Sequence, residues 1–184
     1  MECYKNVREQ TLLGMFGKEG TQLEIEKKFT IKQLPKLEEY ACIHMEQGYL
    51  CTAPVVRIRR ANEDYILTYK SKTQLNEKSH NTNISNEVEL PLTEASFQHL
   101  KEKIDGKMIE KDRYLIPLAD GKKAELDIFH GYLEGLVFVE VEFASVEEAD
   151  RFVAPDWFLE DVSLDARYRN SYLSQIERWE ETKQ

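Results

Sequence analysis

Leu23-Glu24-Ile25-Glu26-Lys27-Lys28-Phe29 puts Glu24, Glu26 and Lys28 on one side of an extended chain, because every second residue of a strand faces the same way. Two carboxylates and an ammonium so placed can hold a divalent cation and, beside it, an anion that the cation also touches. Taken alone, the stretch is better read as an ordinary solvent-facing strand of an acidic protein. The remainder of the chain changes that weighting, since it repeats the pattern in strand after strand with both signs of charge.

Val55 to Ala61 alternates strongly and sets Arg57 and Arg59 on one face. Asn62 to Asp64 turns the chain, and Tyr65 to Lys72 returns with Ile66, Thr68, Lys70 and Lys72 opposite Tyr65, Leu67 and Tyr69. Asn86 to Leu92 carries Glu87 and Glu89 on a shared face. Met108 to Leu118 pairs Lys111 with Arg113, a turn follows at Ala119 to Lys122, and Lys123 to Phe129 aligns Glu125 with Asp127. In Leu136 to Phe143, Glu140 and Glu142 share a face with Leu136 and Phe138, against Val137, Val139, Val141 and Phe143. Neither face suits open solvent, and carboxylates in so apolar a strand are expensive to bury unless a cation or hydrogen-bond donors meet them.

Between the strands, Pro35 to Gly48 is expected to form a helix lined by Leu37, Ala41, His44 and Met45, followed by a short strand at Tyr49 to Thr52. His44 then reads as a packed helix histidine. Thr93 can cap a second helix, with Phe97, Leu100 and Ile104 inward and Gly106 as its stop. Ser145 with Glu148 forms a capping box for a short helix ending near Phe152. Pro155 to Asp165 reads as an acidic loop anchored by Trp157 and Phe158, and Tyr172, Leu173, Ile176 and Trp179 as an amphipathic terminal helix. Thr73 to Ser85 is polar and aperiodic, a candidate lid. Residues 1–21, broken by Gly14, Gly17 and Gly20, are expected to be a poorly ordered extension, and residues 22–184 a single domain.

The formal net charge of −9 argues against non-specific nucleic-acid binding, so any anionic ligand must be caught by clustered bases or through a metal. Cys3, Cys42 and Cys51 are odd in number and lack metal-type spacing, which argues against a disulfide framework. No apolar run reaches transmembrane length and the first residues are unlike a signal peptide, so a soluble cytoplasmic protein that avoids membranes is expected. There is no Gly-rich phosphate loop and no Ser-His-Asp or Cys-His set, and His80, His99 and His130 take no role.

A sandwich with charged faces turned to water is the plain interpretation of alternation. It leaves the Glu140/Glu142 strand without a solvent side, and the opposite faces of several strands are apolar enough to be covered by helices. A mainly β, α+β architecture resolves both: a closed antiparallel barrel whose charged pairs line a wet tunnel and whose apolar faces lie outward beneath the helices. A lumen lined by acids and bases together suits several linked phosphates, contacted by Arg and Lys and bridged to the acids by divalent cations.

The ordered set Glu24-x-Glu26-x-Lys28, Arg57-x-Arg59, Lys70, Glu87-x-Glu89, Lys111-x-Arg113, Asp127 and Glu140-x-Glu142 resembles the CYTH superfamily, or triphosphate tunnel metalloenzymes, over roughly Leu23 to Leu173. The tail Asp165-Ala-Arg-Tyr-Arg-Asn-Ser, after Pro-Asp-Trp-Phe, resembles compact single-domain bacterial members. The resemblance implies an eight-stranded tunnel that binds a triphosphate with Mg2+ or Mn2+ and usually hydrolyses it. Lys28, Arg57, Arg59, Lys70, Lys111 and Arg113 would hold the phosphates, and Glu24, Glu26, Asp127, Glu140 and Glu142 would be metal ligands. One ion would bridge phosphate oxygens and a second would activate water. Glu140, Glu142 and Lys111 would stand nearest the chemistry, with Glu87 and Glu89 as ligands or water-orienting groups, while Lys72 and Glu125 remain lumen neighbours or solvated residues. Inorganic tripolyphosphate is the first substrate this implies, with nucleoside triphosphates behind it. The alternatives are an adenylate cyclase of the same fold, whose additional His-Phe motif is missing here, a thiamine triphosphatase, and a binding module that does no chemistry, whose expected loss of acids is not seen. The first residues depart from the family, whose motif lies near the chain start; they could be disordered, pack at a tunnel mouth, or form a homodimer contact.

Overall fold

The computed structural model describes residues 22–72, 82–119 and 121–179. Its strands are β1 (Gln22–Ile31), β2 (Cys42–Thr52), β3 (Val55–Ala61), β4 (Asp64–Lys72), β5 (Asn83–Pro91), β6 (Asp105–Pro117), β7 (Lys123–Phe129), β8 (Val137–Glu142) and β9 (Phe158–Asp161). They run β5-β4-β3-β2-β6-β7-β8-β1, and a further β5–β1 pairing closes the ring into an eight-stranded antiparallel barrel. The seam is β1, whose Gln22 to Glu26 pair with β5, Glu26 to Phe29 with β8, and Phe29 and Ile31 with β9. Closure removes the free edges that long alternating strands would otherwise present.

The two faces of each strand part company as their side chains require. Ile25, Phe29, Ile84, Leu126, Val139 and Val141 point out of the barrel, beneath a layer made by Phe143, Ala149, Phe152 and Phe158. That layer includes α2 (Val146–Arg151), which starts at Ser145, whose hydroxyl accepts from Glu148 N; the Glu148 carboxylate returns to Ala144 N at 2.7 Å. On the far side, α1 (Glu94–Lys101), capped by Thr93, buries Phe97 against the Tyr65 ring at 5.1 Å. A third cluster is inward-facing: Tyr49, Ile109, Phe129 and Phe138 fill part of one end of the barrel together with Leu173 and Trp179 of the C-terminal segment. About 25 cal/mol per Å² of apolar surface removed from water makes these clusters the main support of the barrel.

Several expectations are corrected. Pro35 to Gly48 is not a helix: Cys42–Thr52 is one long strand bonded to β3 and β6. Ile43, Met45 and Tyr49 are buried on its inner face, and two waiting strand edges outweigh local helical spacing. His44 therefore lies on the outer wall, 2.9 Å from Asp112, which also meets His130. α1 ends at Lys101, and Gly106 lies inside β6 with φ +79°, where an added Cβ would stand 2.3 Å from the Ser174 carbonyl. β5 begins at Asn83, inside the stretch expected to be a loop, and β9 lies in the expected acidic loop. Among the described residues the expected terminal helix is reduced to α3 (Asn170–Leu173), yet Leu173 and Trp179 are buried as anchors. The candidate lid from Thr73 onward lies outside the described residues up to 81, as does the extension at 1–21. Cys42 and Cys51 are free thiols, and among the described residues no helix is long and apolar enough to cross a membrane.

Candidate active site: a charged tunnel through the barrel

A cavity of about 1640 Å³ runs through the barrel, from Ala41, Leu90 and Ala144 at one end of the strands to Thr52, Lys72 and Asn83 at the other. The strand period of two determines what lines it: Glu24, Glu26 and Lys28 from β1, Arg57 and Arg59 from β3, Lys70 from β4, Glu87 and Glu89 from β5, Lys111 and Arg113 from β6, Glu140 and Glu142 from β8. These residues, far apart in sequence, are brought to one lumen by closure.

Acids and bases hold one another there. Lys70 Nζ donates to Glu24 at 2.5 Å and lies 2.6 Å from Glu87, while Ser85 Oγ donates to Glu24 at 2.9 Å. Arg59 Nη2 and Thr68 Oγ1 both donate to Glu89, at 2.9 and 3.1 Å. Asn83 Nδ2 donates to Glu26 at 2.8 Å. Lys28 Nζ meets Glu140 at 2.9 Å and the Tyr168 carbonyl at 2.8 Å, and lies 4.4 Å above the Phe138 ring. Arg113 reaches Asp127 through Nε and Nη2 at 2.7 Å, Glu140 through Nη2 at 2.6 Å, and Glu125 through Nη1. Arg57 stays 3.9 Å from Glu87, and among the described residues the buried Nε groups of Arg57 and Arg59 have no acceptor. Buried guanidinium donors without acceptors are costly unless a ligand supplies oxygens.

Asp127 is placed differently from the other acids. It is not part of the cavity lining; wholly buried, it lies behind Lys111, which donates to it at 2.5 Å, and Arg113. Glu142 sits at the open end, more accessible than Glu140.

The crowding shifts protonation. Burial, then Glu24 and Glu140, push the Glu26 carboxyl up to about 7 against the pull of Lys70 and Lys28. Withdrawal into the tunnel wall, then Glu125, Glu24 and Glu26, raise Glu142 to about 7 despite its accessible position. For Glu140, burial opposes ionisation, but Lys28, Arg113 and Lys111 outweigh it and hold the carboxyl well below the usual range. Lys111 is brought down to about 8 by burial and by Arg113, with Asp127 and Glu140 resisting. For Lys28, burial works against the charge, yet Glu140 and Glu26 prevail and its pKa is raised.

The sequence pattern leaves Glu125 open between lumen neighbour and solvated residue, and does not single out Asn83 or Ser85. Glu125 proves to be a partner of Arg113, and Asn83 and Ser85 position Glu26 and Glu24. Their signal was the same alternation, since 83, 85, 87 and 89 share one face of β5, but it began inside a polar stretch. Gln47 and Tyr49, buried and joined by a 3.3 Å hydrogen bond, add uncharged polar groups to the lumen.

The fold and lumen define a class: closed antiparallel tunnel proteins whose lumen is lined by carboxylates and fixed cations together. A family model described as the CYTH domain matches residues 22–179. An inorganic triphosphatase of Nitrosomonas europaea is 37% identical over 154 residues, spanning 82% of this chain and 96% of that protein. An inorganic triphosphatase of Acetivibrio thermocellus is 36% identical over 162 residues, spanning 82% and 92%. A crystal structure of an inorganic triphosphatase superimposes with a TM-score of 0.62 at 35% identity, covering 84% of this chain and 96% of that one. The chain belongs to the CYTH domain family.

Proposed function

We propose that the protein is a divalent-metal-dependent inorganic triphosphatase, which adds water to tripolyphosphate and releases orthophosphate and pyrophosphate. The observation that carries this is the pair of buried, acceptor-less Nε groups of Arg57 and Arg59 in the wall of an enclosed, doubly charged tunnel. Two relatives at 36–37% identity carry the name of that activity over most of both chains.

The donor set fits Mg2+ or Mn2+. Glu24, Glu26, Glu140 and Glu142 offer hard carboxylate oxygens, and the pKa of Glu26 and Glu142 is raised first by burial and then by neighbouring carboxylates, whose charge a cation would relieve. Mg2+ is commonly held by one or two carboxylates together with waters and substrate phosphates, a demand this set of carboxylates can meet. When bound, such an ion supplies neutralisation of phosphate charge and acidification of water. Asp127 we assign to positioning rather than ligation, because it sits behind Lys111 and Arg113 and orients both.

Binding then exchanges partners. Phosphate oxygens take Lys28, Arg57, Arg59, Lys70, Lys111 and Arg113, and the carboxylates these bases had held become free to meet metal. Arg57 and Arg59 turn their unused donors on the chain of phosphates, so the substrate is fixed along the lumen before reaction. Water attacks a terminal phosphorus, the bond from that phosphorus to the bridging oxygen breaks, and the bases stabilise the charge that gathers on the departing pyrophosphate. Glu142, with a pKa near neutrality, suits acceptance of the proton that water gives up. Glu87 and Glu89 hold Lys70 and Arg59 in line and orient water near them.

The deciding experiment measures phosphate release from tripolyphosphate, ATP, thiamine triphosphate and long-chain polyphosphate, with and without Mg2+ or Mn2+. Rapid metal-dependent release from tripolyphosphate is expected. Cyclic AMP from ATP, or binding without any turnover, would overturn the assignment.

A further inference from the structure

The end of the barrel that holds Thr52, Lys72 and Asn83 is only half filled. The apolar cluster of Tyr49, Ile109, Phe129 and Phe138 occupies the side made by β2, β6, β7 and β8. On the other side the cavity lining continues past Glu26 and Lys28 to Lys72, Asn83, Arg169 and Asn170. The strand register places these groups around one exit. Lys72 stands opposite Ser85 across β4 and β5, and Asn83 opposite Glu26 across β5 and β1. Two residues further along β1, Lys28 bonds the carbonyl of Tyr168, the residue before Arg169. Two strand spacings, roughly 10 Å, separate β4 from β1, so Lys72 and the segment carrying Arg169 flank the exit from its two sides.

The chemistry of this exit differs from that of the lumen. Inside, Glu24, Glu87, Glu89, Glu125 and Glu140 each meet a base, while Glu26 takes the Asn83 amide. At the exit Lys72 and Arg169 are exposed, and among the described residues neither forms an ion pair. Arg169 acts on Asp165 only from a distance, since that carboxylate is bonded to Arg167 at 2.7 Å. Beyond Glu26, which Asn83 holds, the groups beside them are neutral and polar: Asn83, Ser71, Ser171 and Asn170, whose buried Oδ1 has no donor among the described residues. Two uncommitted cations in a polar passage continuous with a phosphate-binding lumen suit more phosphate.

We infer that this exit is a further phosphate subsite, in which Lys72 and Arg169 hold the fourth and later phosphates of a linear polyphosphate whose first three occupy the tunnel. This rests on the triphosphatase reading and deepens it: the off-axis opening sets chain-length preference and lets a longer chain lie through the barrel.

The test compares the full chain with Lys72→Ala, Arg169→Ala and the double variant, using tripolyphosphate, linear tetrapolyphosphate and ATP under the same metal. Each single change should lower kcat/KM for tetrapolyphosphate roughly three- to tenfold through KM, as removal of one cation from an anion does. The double variant should lower it further, with tripolyphosphate and ATP within about twofold of the unchanged protein and Tm unaltered. Equal loss for tripolyphosphate or ATP would make the two cations general attractors and overturn the subsite, as would no loss for tetrapolyphosphate. Absence of tripolyphosphate hydrolysis by the unchanged chain would instead defeat the triphosphatase reading. In that case calorimetric binding of tetrapolyphosphate and tripolyphosphate to the unchanged chain and the double variant still decides the subsite, since only the longer chain should lose affinity.

Discussion

Glu142 and Asp127 are both acids of the tunnel strands, yet their surroundings assign them opposite kinds of work. Glu142 faces the cavity among other carboxylates, so Glu142→Gln keeps the shape and removes a charge that repels its neighbours. Turnover of tripolyphosphate should fall about 100-fold or more in kcat, while the metal-free Tm stays level or rises; near-normal kcat would remove Glu142 from the reaction. Asp127 is buried against Lys111 and Arg113. Asp127→Asn leaves two buried cations with less compensation, a loss of about 3–5 kcal/mol. Thermal unfolding should show it as a fall on the order of 10 °C at roughly 2–4 °C per kcal/mol. A Tm within a degree of the parent would mean that Asp127 does not tie the two bases down.

At the scale of elements, the join between β6 and the C-terminal segment depends on Gly106. Its φ of +79° and the 2.3 Å between an added Cβ and the Ser174 carbonyl make Gly106→Ala strained on two counts. About 1–3 kcal/mol of destabilisation is expected from the backbone alone, measurable by urea unfolding, with Leu173 and Trp179 loosened from the barrel end. β3, β4, β7 and β8 were legible because charge on one face and apolar residues on the other leave no second register. β2 was not: its inward Ile43, Met45, Gln47 and Tyr49 carry no charge, and Leu37, Ala41, His44 and Met45 also fit a helical period. The C-terminal segment misled in the same way, since Leu173, Ile176 and Trp179 recur every third residue, but the helix ends at Leu173 and Trp179 reaches the core from beyond it. In the site, the charged pairs could be read from alternation, whereas the withdrawal of Asp127 behind the wall could not, because a strand pattern gives a face and not a depth.

For the whole molecule, the tunnel pairs most of its own acids and bases, and this links pH, metal and substrate. Glu26 and Glu142 ionise near pH 7 in the folded chain rather than at their ordinary 4.5. Their protonated forms are thus favoured by folding, and the stability they contribute below pH 4.5 is lost as pH rises through about 7. The metal-free Tm should decline between pH 5 and 8, and Mg2+ with tripolyphosphate should raise it more at pH 8 than at pH 6. Each ligand alone should raise it by less than its share of the combined effect, because each takes only one half of every internal pair. Simple additivity in a thermal-shift matrix would refute this exchange. The seam at β1 has a different consequence, which concerns how the chain reaches its native state. Glu26 is paired across to Asn83 on one side and to Glu142 on the other, so the first of the described strands finds one flank only after most of the chain exists. During synthesis from the N-terminus β1 waits with open edges, and closure adds the longest-range contacts last, which makes slow folding and early vulnerability to aggregation the kinetic counterpart of an edgeless barrel.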